Sequence, residues 1–314
     1  MKKVSLSPEF LRGVHHLKTF PQGVMLLRFP ESVTGLYQDD AARITRIQAP
    51  AGVRILFETD ARTVKLPHSF GRTAREIFAF SVFLDGEPAL FTSENGVLAM
   101  TLPAGRHTVE ILVPHLVECY FGDLELDDNA VITPAAPPEN PGKLLFVGDS
   151  IMQGMTTSSP AQTYADMLAR NLKIDFYNLA VGGFTADPAW AGLVAGEYEY
   201  SRVIFCLGCN DFCLDKSLAD YRRDLEKVLS FFAGKPMVIF SMTPILCRPE
   251  INRHGETLDQ FRACVRELAA ARPDTLFVDG KELLPAEEKY FIDGLHPNDL
   301  GAETFYRNLR KFWR

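Results

Sequence analysis

The segment KLLFVGDSIMQG, residues 143–154, decides how the whole chain is interpreted. Its first five residues form a mostly apolar run between a Pro-Gly pair and a glycine, which is typical of a buried strand. Helix-start signals follow near Ser158 and Pro160. The pattern therefore predicts that Ser150 lies where a central strand meets a helix. Ligands bind at that edge of open α/β sheets, so a reactive hydroxyl is well placed there.

A serine hydroxyl is a poor nucleophile at neutral pH, so a catalytic Ser150 requires a base and donors for an oxyanion. Near the C-terminus, the segment DGLHPN places Asp293 three residues before His296, close enough for the carboxylate to orient the imidazole. Two glycine-bearing turns after apolar runs contain Gly183 and Asn210, which offer a backbone N–H and a side-chain amide. Each residue alone is more typical of a turn or a helix cap. Their occurrence together favours a catalytic site.

Four sequence blocks carry a resemblance to the SGNH hydrolases, also called GDSL-type esterases; in chain order they are Gly148-Asp149-Ser150-Ile151, Gly183, Gly208-Cys209-Asn210-Asp211 and Asp293-Gly294-Leu295-His296. The resemblance covers roughly residues 143–314 and implies a flavodoxin-like, three-layer α/β/α hydrolase domain with a parallel sheet. It also implies that Ser150 is the nucleophile and that His296 and Asp293 complete a catalytic triad. The implied oxyanion hole consists of the N–H groups of Ser150 and Gly183 and the amide of Asn210.

Two assignments around Gly183 stay open at the level of sequence. Gly182 precedes it directly and could supply the oxyanion N–H in its place. Trp190 follows shortly afterwards and is interpreted either as a wall of the substrate pocket or as a packing residue of a helix. Residue types and spacing alone do not separate these alternatives.

From residue 143 onward, apolar strand-like runs alternate with helical patterns. The predicted strands are residues 144–147, 174–180, 203–207, 237–242 and 276–278, and the predicted helices lie near residues 161–172, 217–232, 258–272 and 300–312. Such alternation predicts a parallel, doubly wound sheet. No Gly-x-Gly-x-x-Gly segment follows any of these strands, so a dinucleotide-binding fold has no support.

Residues 1–130 differ, because short segments rich in β-branched and aromatic residues recur there between turn signals. The predicted strand segments are residues 24–29, 42–47, 53–58, 63–66, 77–84, 97–102, 107–113 and 119–126. Alternation of apolar and polar residues in several of them is the period of a strand. Asp85-Gly86, Glu94-Asn95-Gly96 and Ala104-Gly105 fit hairpin connections. These features predict an all-β sandwich of the jelly-roll type as an accessory domain.

Residues 131–142 are predicted to be a linker between the two domains. The segment contains four prolines, which stiffen the chain and remove backbone donors, so it cannot continue a central strand. The predicted organisation is therefore an accessory domain at 1–130, a linker at 131–142 and a catalytic domain at 143–314.

Composition narrows the function classes. A hydrophobic content of 46% and a charged content of 23% are ordinary for a soluble globular protein. The formal net charge of −7 argues against a broad surface for nucleic acid or an anionic membrane, and favours a small, neutral or weakly charged ligand. The sequence shows no secretory signal and no apolar run of about 18 residues, which predicts a cytoplasmic protein.

The six cysteines lack a closely spaced, even framework, so we expect reduced thiols rather than disulfides. Cys206, Cys209 and Cys213 have no accompanying histidine or cysteine that completes a four-ligand set, so no metal site is predicted. The proposed chemistry requires no organic cofactor either. The sequence leaves the oligomeric state open, including a homo-oligomer.

The sequence as a whole predicts a serine esterase that hydrolyses short-chain esters, with an acyl-enzyme on Ser150. SGNH domains preceded by a β-sandwich are similar to carbohydrate esterases, so the expected substrate is an O-acetyl ester on a small molecule or oligosaccharide. The first alternative is a lipase or thioesterase of the same superfamily. The second is a non-catalytic carbohydrate-binding protein with a hydrolase-like fold, which would have no need for Asp293 and His296 beside a serine.

Overall fold

The computed structural model of the chain describes residues 1–93 and 95–313. The first part of the chain forms the strands β1 (Lys2–Val4), β2 (Leu11–Arg12), β3 (His16–Phe20), β4 (Gly23–Leu27), β5 (Arg54–Thr59), β6 (Thr63–Thr73), β7 (Phe80–Leu84), β8 (Glu87–Thr92), β9 (Gly96–Thr101), β10 (His107–Leu112), β11 (Val117–Phe121), β12 (Leu124–Leu126) and β13 (Ile132–Pro134). Between β4 and β5 lie the helices α1 (Glu31–Leu36) and α2 (Ala41–Gln48). A 3-10 turn covers Pro8–Phe10.

These strands form two antiparallel sheets that share one hydrophobic core. The first sheet has the order β1-β12-β6-β11-β4-β3, with β9 paired to β6. The second has the order β13-β5-β10-β7-β8, with β2 paired to β5. Leu66 and Phe121 from the first sheet and Ile55 and Val109 from the second are buried in the same cluster. Seven of the eight predicted strand segments are confirmed, and their alternating apolar side chains fill the space between the sheets.

The prediction of a strand at residues 42–47 is wrong, because this segment is the helix α2. Asp40 caps the helix by accepting a hydrogen bond from the Arg43 N–H. Ile44 and Ile47 are three residues apart and lie on one helical face, and Ile47 is buried. The spacing and the cap are helical signals, but the β-branched residues of the segment obscured them.

The predicted hairpin turns have different outcomes. Asp85-Gly86 joins the paired strands β7 and β8, and both residues have positive φ, as a two-residue hairpin turn requires. Ala104-Gly105 is not a hairpin connection, because it leads from β9 in the first sheet to β10 in the second. The turn predicted at Glu94-Asn95-Gly96 includes Glu94, which lies outside the described residues.

The second part of the chain alternates strands and helices. It contains β14 (Lys143–Val147), α3 (Ser150–Gln153), α4 (Tyr164–Asn171), β15 (Asp175–Asn178), α5 (Pro188–Val194), β16 (Arg202–Phe205), α6 (Cys209–Cys213), α7 (Leu218–Ser230), β17 (Met237–Phe240), α8 (Leu258–Ala270), β18 (Thr275–Val278), α9 (Gly280–Leu283) and α10 (Asp299–Arg310), with 3-10 turns at Pro160–Gln162 and Glu288–Tyr290. The five strands are all parallel, in the order β15-β14-β16-β17-β18. The predicted parallel sheet is confirmed.

Helices cover both faces of this sheet. Leu145 and Val147 of β14 point into a core that contains residues of α5, α7 and α8. Leu144 and Phe146, on the opposite face, are buried with residues of α4 and α10. Because a strand buried on both faces has no polar side, β14 is apolar at nearly every position. The packing of β14 within the sheet therefore fixes the position of the segment after this strand, which begins at Gly148.

A buried arginine joins the two parts of the chain. Arg28, which follows β4, donates to the carbonyl oxygens of Asn178 and Ala180 at 2.6 and 2.8 Å. It also donates to Ala49 and Arg46 carbonyls at 2.7 Å each. Burial lowers the pKa of Arg28 to about 9, so its guanidinium stays charged at neutral pH. The four carbonyl acceptors replace the water that this cation loses.

Residues 131–142 contain the predicted linker, and its first residues also take part in a sheet. Ile132–Pro134 forms β13, which pairs with β5 at the end of the second antiparallel sheet. A proline fits this edge position, since an edge strand can lack a donor on one side. Further along, the N–H of Asn140 donates to the carbonyl of Lys173 in the second part of the chain.

Within residues 1–93 and 95–313, no helix combines the length and the apolar composition that a membrane crossing requires. All six cysteines are free thiols, as expected. In the same described ranges, no group of three or more His, Cys, Asp or Glu residues is arranged to hold a metal ion.

Replacing Arg28 with methionine is expected to lower the free energy of unfolding by about 3 kcal/mol, because several carbonyl groups lose a charged donor. Urea unfolding followed by circular dichroism measures this change. The matched control is Arg62→Met at an exposed position, where a change within about 0.5 kcal/mol is expected. Equal unfolding midpoints for the two variants would contradict a role for Arg28 in joining the two parts.

Candidate active site

Ser150 lies where the sequence predicts it, at the first position of α3, three residues after the end of β14. Asp149 caps this short helix by accepting a hydrogen bond from the Ile151 N–H at 3.0 Å. Gly148 has no room for a side chain, because an added Cβ would stand 2.6 Å from the sulfur of Met152. Gly154 ends the helix with φ of +80°, a conformation that favours glycine. The Gly-Asp-Ser sequence thus makes a tight turn from strand to helix.

Three side chains form a continuous hydrogen-bonded line at this turn. Ser150 Oγ lies 2.8 Å from His296 Nε2, and His296 Nδ1 lies 2.8 Å from Asp293 Oδ2. A carboxylate only accepts hydrogen bonds, so Nδ1 carries a hydrogen and the neutral ring has its lone pair on Nε2. In that tautomer Nε2 can accept the serine proton. The structure therefore brings together all three residues of the predicted triad.

The loop around His296 is held by backbone hydrogen bonds. Asp293 Oδ1 accepts from the N–H groups of Leu295 and His296 at 3.0 and 2.8 Å. Burial acts to raise the pKa of Asp293, but these N–H groups and the imidazole outweigh it, and the net pKa is lowered. Asp293 is thus a carboxylate at neutral pH. Gly294, with φ of +76°, leaves no space for a Cβ against the backbone of Cys247.

The glycine pair after β15 supplies a backbone donor beside Ser150. The N–H of Gly182 donates to Gln153 Oε1 at 2.8 Å and is therefore occupied. No acceptor for the Gly183 N–H is found within the described part of the chain, and Gly183 is partly exposed with φ of +89°. This difference favours Gly183 over Gly182 as the oxyanion donor. The N–H of Ser150, at the first position of α3, likewise has no acceptor within the helix.

Asn210 is the other predicted oxyanion donor, and its amide is fixed in one orientation. Its Nδ2 donates to the carbonyl of Phe184 at 2.9 Å. An amide nitrogen carries two hydrogens, so one donor remains available on this partly exposed side chain. Asn210 belongs to α6, which begins after Gly208 at the end of β16. The parallel sheet therefore brings the ends of β14, β15 and β16 to the same edge.

Two buried carboxyl groups lie behind the predicted site without contacting the serine hydroxyl. Asp149 is fully buried, and burial together with the charge of Asp211 raises its pKa to about 7. Asp211 accepts hydrogen bonds from the Ala186 N–H and from Lys216 Nζ, at 3.0 Å each. Both residues support turns, since one caps α3 and the other anchors the segment after Gly183.

Trp190 does not line a pocket, and this alternative from the sequence is corrected by the structure. Its side chain is completely buried in the core beneath the sheet. The indole ring stacks on Phe184 with 4.6 Å between ring centroids, and its N–H donates to the Thr185 carbonyl at 3.2 Å. Trp190 therefore packs α5 against the segment that carries the glycine pair, which is the helix-packing alternative.

Two residues at the site were not found from the sequence. Gln153 is completely buried and bridges two segments: it accepts from the Gly182 N–H, and its Nε2 donates to the Arg46 carbonyl at 2.9 Å. Arg46 of α2 reaches the same turn, where its Nη1 donates to the Gly182 carbonyl at 3.3 Å. Neither position has a local sequence signal, because both contacts depend on how the two parts of the chain pack.

The segment that contains the predicted site residues matches a known protein family. A family model described as GDSL-like lipase/acylhydrolase matches residues 146–304, which is half of the chain and includes Ser150, Gly183, Asn210, Asp293 and His296. The chain belongs to the GDSL-like lipase/acylhydrolase family. As a member of this family it is a carboxylic ester hydrolase. The search of curated proteins finds no match.

Several solved structures are similar in fold to most of this chain. A salicylyl-acyltransferase from a tetracycline biosynthetic pathway is 21% identical, with a TM-score of 0.85 over 99% of this chain and 96% of that chain. A family two carbohydrate esterase from Clostridium thermocellum is 17% identical, with a TM-score of 0.65 over 83% and 91%. An acetyl xylan esterase from Butyrivibrio proteoclasticus is 13% identical, with a TM-score of 0.62 over 100% and 97%. At these identities the likeness shows the fold alone.

In this GDSL hydrolase, a buried histidine from the first part of the chain supports α3, the helix that begins at Ser150. His115 Nε2 lies 2.9 Å from the carbonyl of Gly154, the residue that ends α3, and 3.2 Å from Thr157 Oγ1. A carbonyl only accepts, so Nε2 carries the hydrogen. Burial lowers the pKa of His115 to about 4, more than the hydrogen bond to Gly154 raises it, and the ring is neutral at physiological pH.

This pKa shift predicts a pH-dependent stability for the GDSL hydrolase. Below about pH 6.5 the unfolded chain binds a proton at His115 that the folded chain excludes, so stability is lost as pH falls toward 4. The loss attributable to this group is up to roughly 3 kcal/mol. Asp149 and Asp166, whose pKa values burial raises to about 7, oppose this trend. Wild type and a His115 variant both contain these two aspartates, so their contributions cancel when the stabilities of the two proteins are compared.

Urea unfolding of wild type and His115→Gln between pH 7.5 and 4.5 isolates the histidine contribution. The variant is expected to be less stable at pH 7.5 but to lose less stability on acidification, because glutamine does not titrate. Parallel stability curves for the two proteins would show that His115 titrates equally in the folded and unfolded states.

Proposed function

We propose that the enzyme is a serine esterase that hydrolyses short-chain esters, with an acetyl group on a carbohydrate as the substrate class. The observation that carries the proposal is the hydrogen-bonded line from Ser150 through His296 to Asp293. This arrangement supplies a nucleophile, a base and a group that orients the base. A non-catalytic binding protein, the alternative weighed from the sequence, would not require it.

The mechanism begins with the attack of Ser150 Oγ on the ester carbonyl carbon. His296 Nε2 accepts the serine proton as the C–O bond forms, and Asp293 stabilises the imidazolium. The oxyanion is stabilised by the N–H groups of Ser150 and Gly183 and by the second amide hydrogen of Asn210. His296 then returns the proton to the leaving alcohol, and water releases the acyl group from Ser150 by the same steps.

The carbohydrate acetyl ester is favoured by what the similar structures are called. Several are carbohydrate esterases of family two, one of them in complex with cellohexaose, and another is an acetyl xylan esterase. A salicylyl-acyltransferase has the same fold, so we keep acyl transfer to an alcohol other than water as a second candidate for the fate of the acyl-enzyme. Both activities use the same first step on Ser150.

We also propose that residues 1–130 form a jelly-roll-like accessory domain, that residues 131–142 link it to the catalytic domain, and that the catalytic domain begins at residue 143. Successive strands from β5 onward cross repeatedly between the two antiparallel sheets, which supports this topology. The accessory domain contributes α2 and Arg28 to the surroundings of the site, so the two domains are expected to act as one unit.

Hydrolysis of phenyl acetate and phenyl octanoate, measured side by side, tests the substrate class. Wild type is expected to prefer the acetate, and Ser150→Ala is expected to lose at least about a thousandfold in kcat, since the nucleophile is absent. A preference for octanoate would instead support a lipase or thioesterase. Equal acetate turnover by well-folded wild type and Ser150→Ala would exclude Ser150 as the nucleophile.

Replacing Asn210 with alanine tests the oxyanion hole separately. We expect kcat on phenyl acetate to fall roughly 10²-fold to 10³-fold with a smaller change in KM, because the lost hydrogen bond is strongest in the transition state. The control is Asn140→Ala, which removes an exposed amide whose Nδ2 donates to the Leu172 carbonyl; this variant is expected to keep wild-type kcat. An equal loss in both variants would argue against an oxyanion role for Asn210.

A further inference from the structure

Arg46 places an unbalanced positive charge beside the oxyanion turn. Its Nη1 lies 3.4 Å from the position that a Cβ on Gly183 would take, and its Cδ and Nε lie 3.2 and 3.5 Å from the position that a Cβ on Gly182 would take. The guanidinium is therefore in contact with the glycine pair whose second N–H is the proposed oxyanion donor. Because Arg46 belongs to α2, the accessory domain supplies this charge to the catalytic domain.

The hydrogen-bonding capacity of Arg46 is largely unused. A guanidinium has five N–H donors. Within residues 1–93 and 95–313 the only acceptor found for them is the carbonyl of Gly182, at 3.3 Å. Nε is buried and has no partner in the described part of the chain. A guanidinium removed from water normally finds a carboxylate or several carbonyls, as the buried Arg28 does in the same protein.

The charges around Arg46 do not neutralise it. No carboxylate of the described residues lies within salt-bridge distance of Arg46 or Arg75, and Asp40, the nearby acid, is paired with Arg43 at 3.3 Å. Burial lowers the pKa of Arg46, and the positive charge of Arg75 lowers it further, while Asp40 acts in the opposite direction. Two neighbouring arginines without a shared acid are a local cationic site in a chain whose net charge is −7.

We propose that Arg46 is a specificity-determining residue that binds a carboxylate of the ester substrate next to the Gly182-Gly183 turn. A planar guanidinium matches a carboxylate with two parallel hydrogen bonds. Arg46 contacts the Gly182-Gly183 turn that carries the proposed oxyanion donor, so a carboxylate bound to it would lie next to that turn. The inference rests on the proposed esterase function and narrows its substrates to esters that carry an acid group. The acid group can belong to the acyl part or to the alcohol part of the ester.

Two pairs of esters distinguish an acid group on the alcohol part from one on the acyl part. For the alcohol side the pair is 3-acetoxybenzoate and its neutral analogue 3-acetoxybenzamide; for the acyl side it is phenyl hydrogen succinate and phenyl succinamate. Each kcat/KM is divided by the rate of alkaline hydrolysis of the same ester, which removes intrinsic reactivity. The readout is the ratio of the charged to the neutral member within each pair.

Wild type is expected to favour the charged ester at least about tenfold in one of the two pairs, and Arg46→Gln is expected to bring that ratio close to one. Arg46→Lys should retain part of the preference, because the charge remains without the planar fork. The control is Arg43→Gln on the same helix, whose side chain is paired with Asp40 and stacks over Tyr37, and it should keep the wild-type ratio. A purely structural role of Arg46 would lower both rates and leave the ratio unchanged.

Wild-type ratios close to one in both pairs, or a preference that persists in Arg46→Gln, would overturn the proposal. Failure of the esterase function itself looks different, since neither neutral ester would then show turnover that depends on Ser150. Calorimetric binding of the acid that the preferred pair releases, 3-hydroxybenzoate for the alcohol side or succinate for the acyl side, needs no turnover and separates the two cases. About tenfold weaker binding by Arg46→Gln than by wild type would support the carboxylate site, and equal binding would contradict it.

Discussion

The hydrogen bond between Ser150 Oγ and His296 Nε2 is the constraint on which the functional arrangement depends. It joins residues 146 positions apart in the chain, and its length of 2.8 Å requires that both side chains be positioned accurately. The parallel sheet makes this possible, because it carries Ser150, the glycine pair and Asn210 to one edge on the ends of three neighbouring strands. The loop of His296 is then brought to that edge by contacts such as the bond from Thr156 Oγ1 to the Pro297 carbonyl.

The first part of the chain contacts the second part close to Ser150. Arg28 donates to carbonyl groups at the end of β15 and just after it, and His115 donates to the carbonyl of Gly154, which ends α3. The core that contains Leu145 and Val147 of β14 also includes Val33 from α1 and Ile47 from α2. The two parts of the chain therefore share polar and apolar contacts close to Ser150. In this arrangement residues of the first part contact the segments that surround Ser150, and α2 brings Arg46 to the Gly182-Gly183 turn.

The sequence predicted the parallel sheet and the residues of the site because both leave local signals. Strand and helix periods are visible over short windows, and Ser150, Asn210 and the Asp293–His296 pair each lie in a short segment of turn residues. Gln153 and Arg46 leave no such signal, since their partners belong to distant segments. The error at α2 has a related cause: β-branched residues suggested a strand, while the cap from Asp40 and the packing of Ile47 favour a helix. Burial of Trp190 likewise depends on contacts across the core.

The central claim is that Ser150 carries the acyl group between the two halves of the reaction. Mass spectrometry of enzyme that has been quenched within milliseconds of mixing with phenyl acetate, followed by peptide mapping, tests this claim most directly. The account predicts one acetyl group, located on the peptide that contains Ser150, and released at the rate of turnover. Steady hydrolysis without any acetylated peptide, or an acetyl group on another residue such as Cys213, would contradict it.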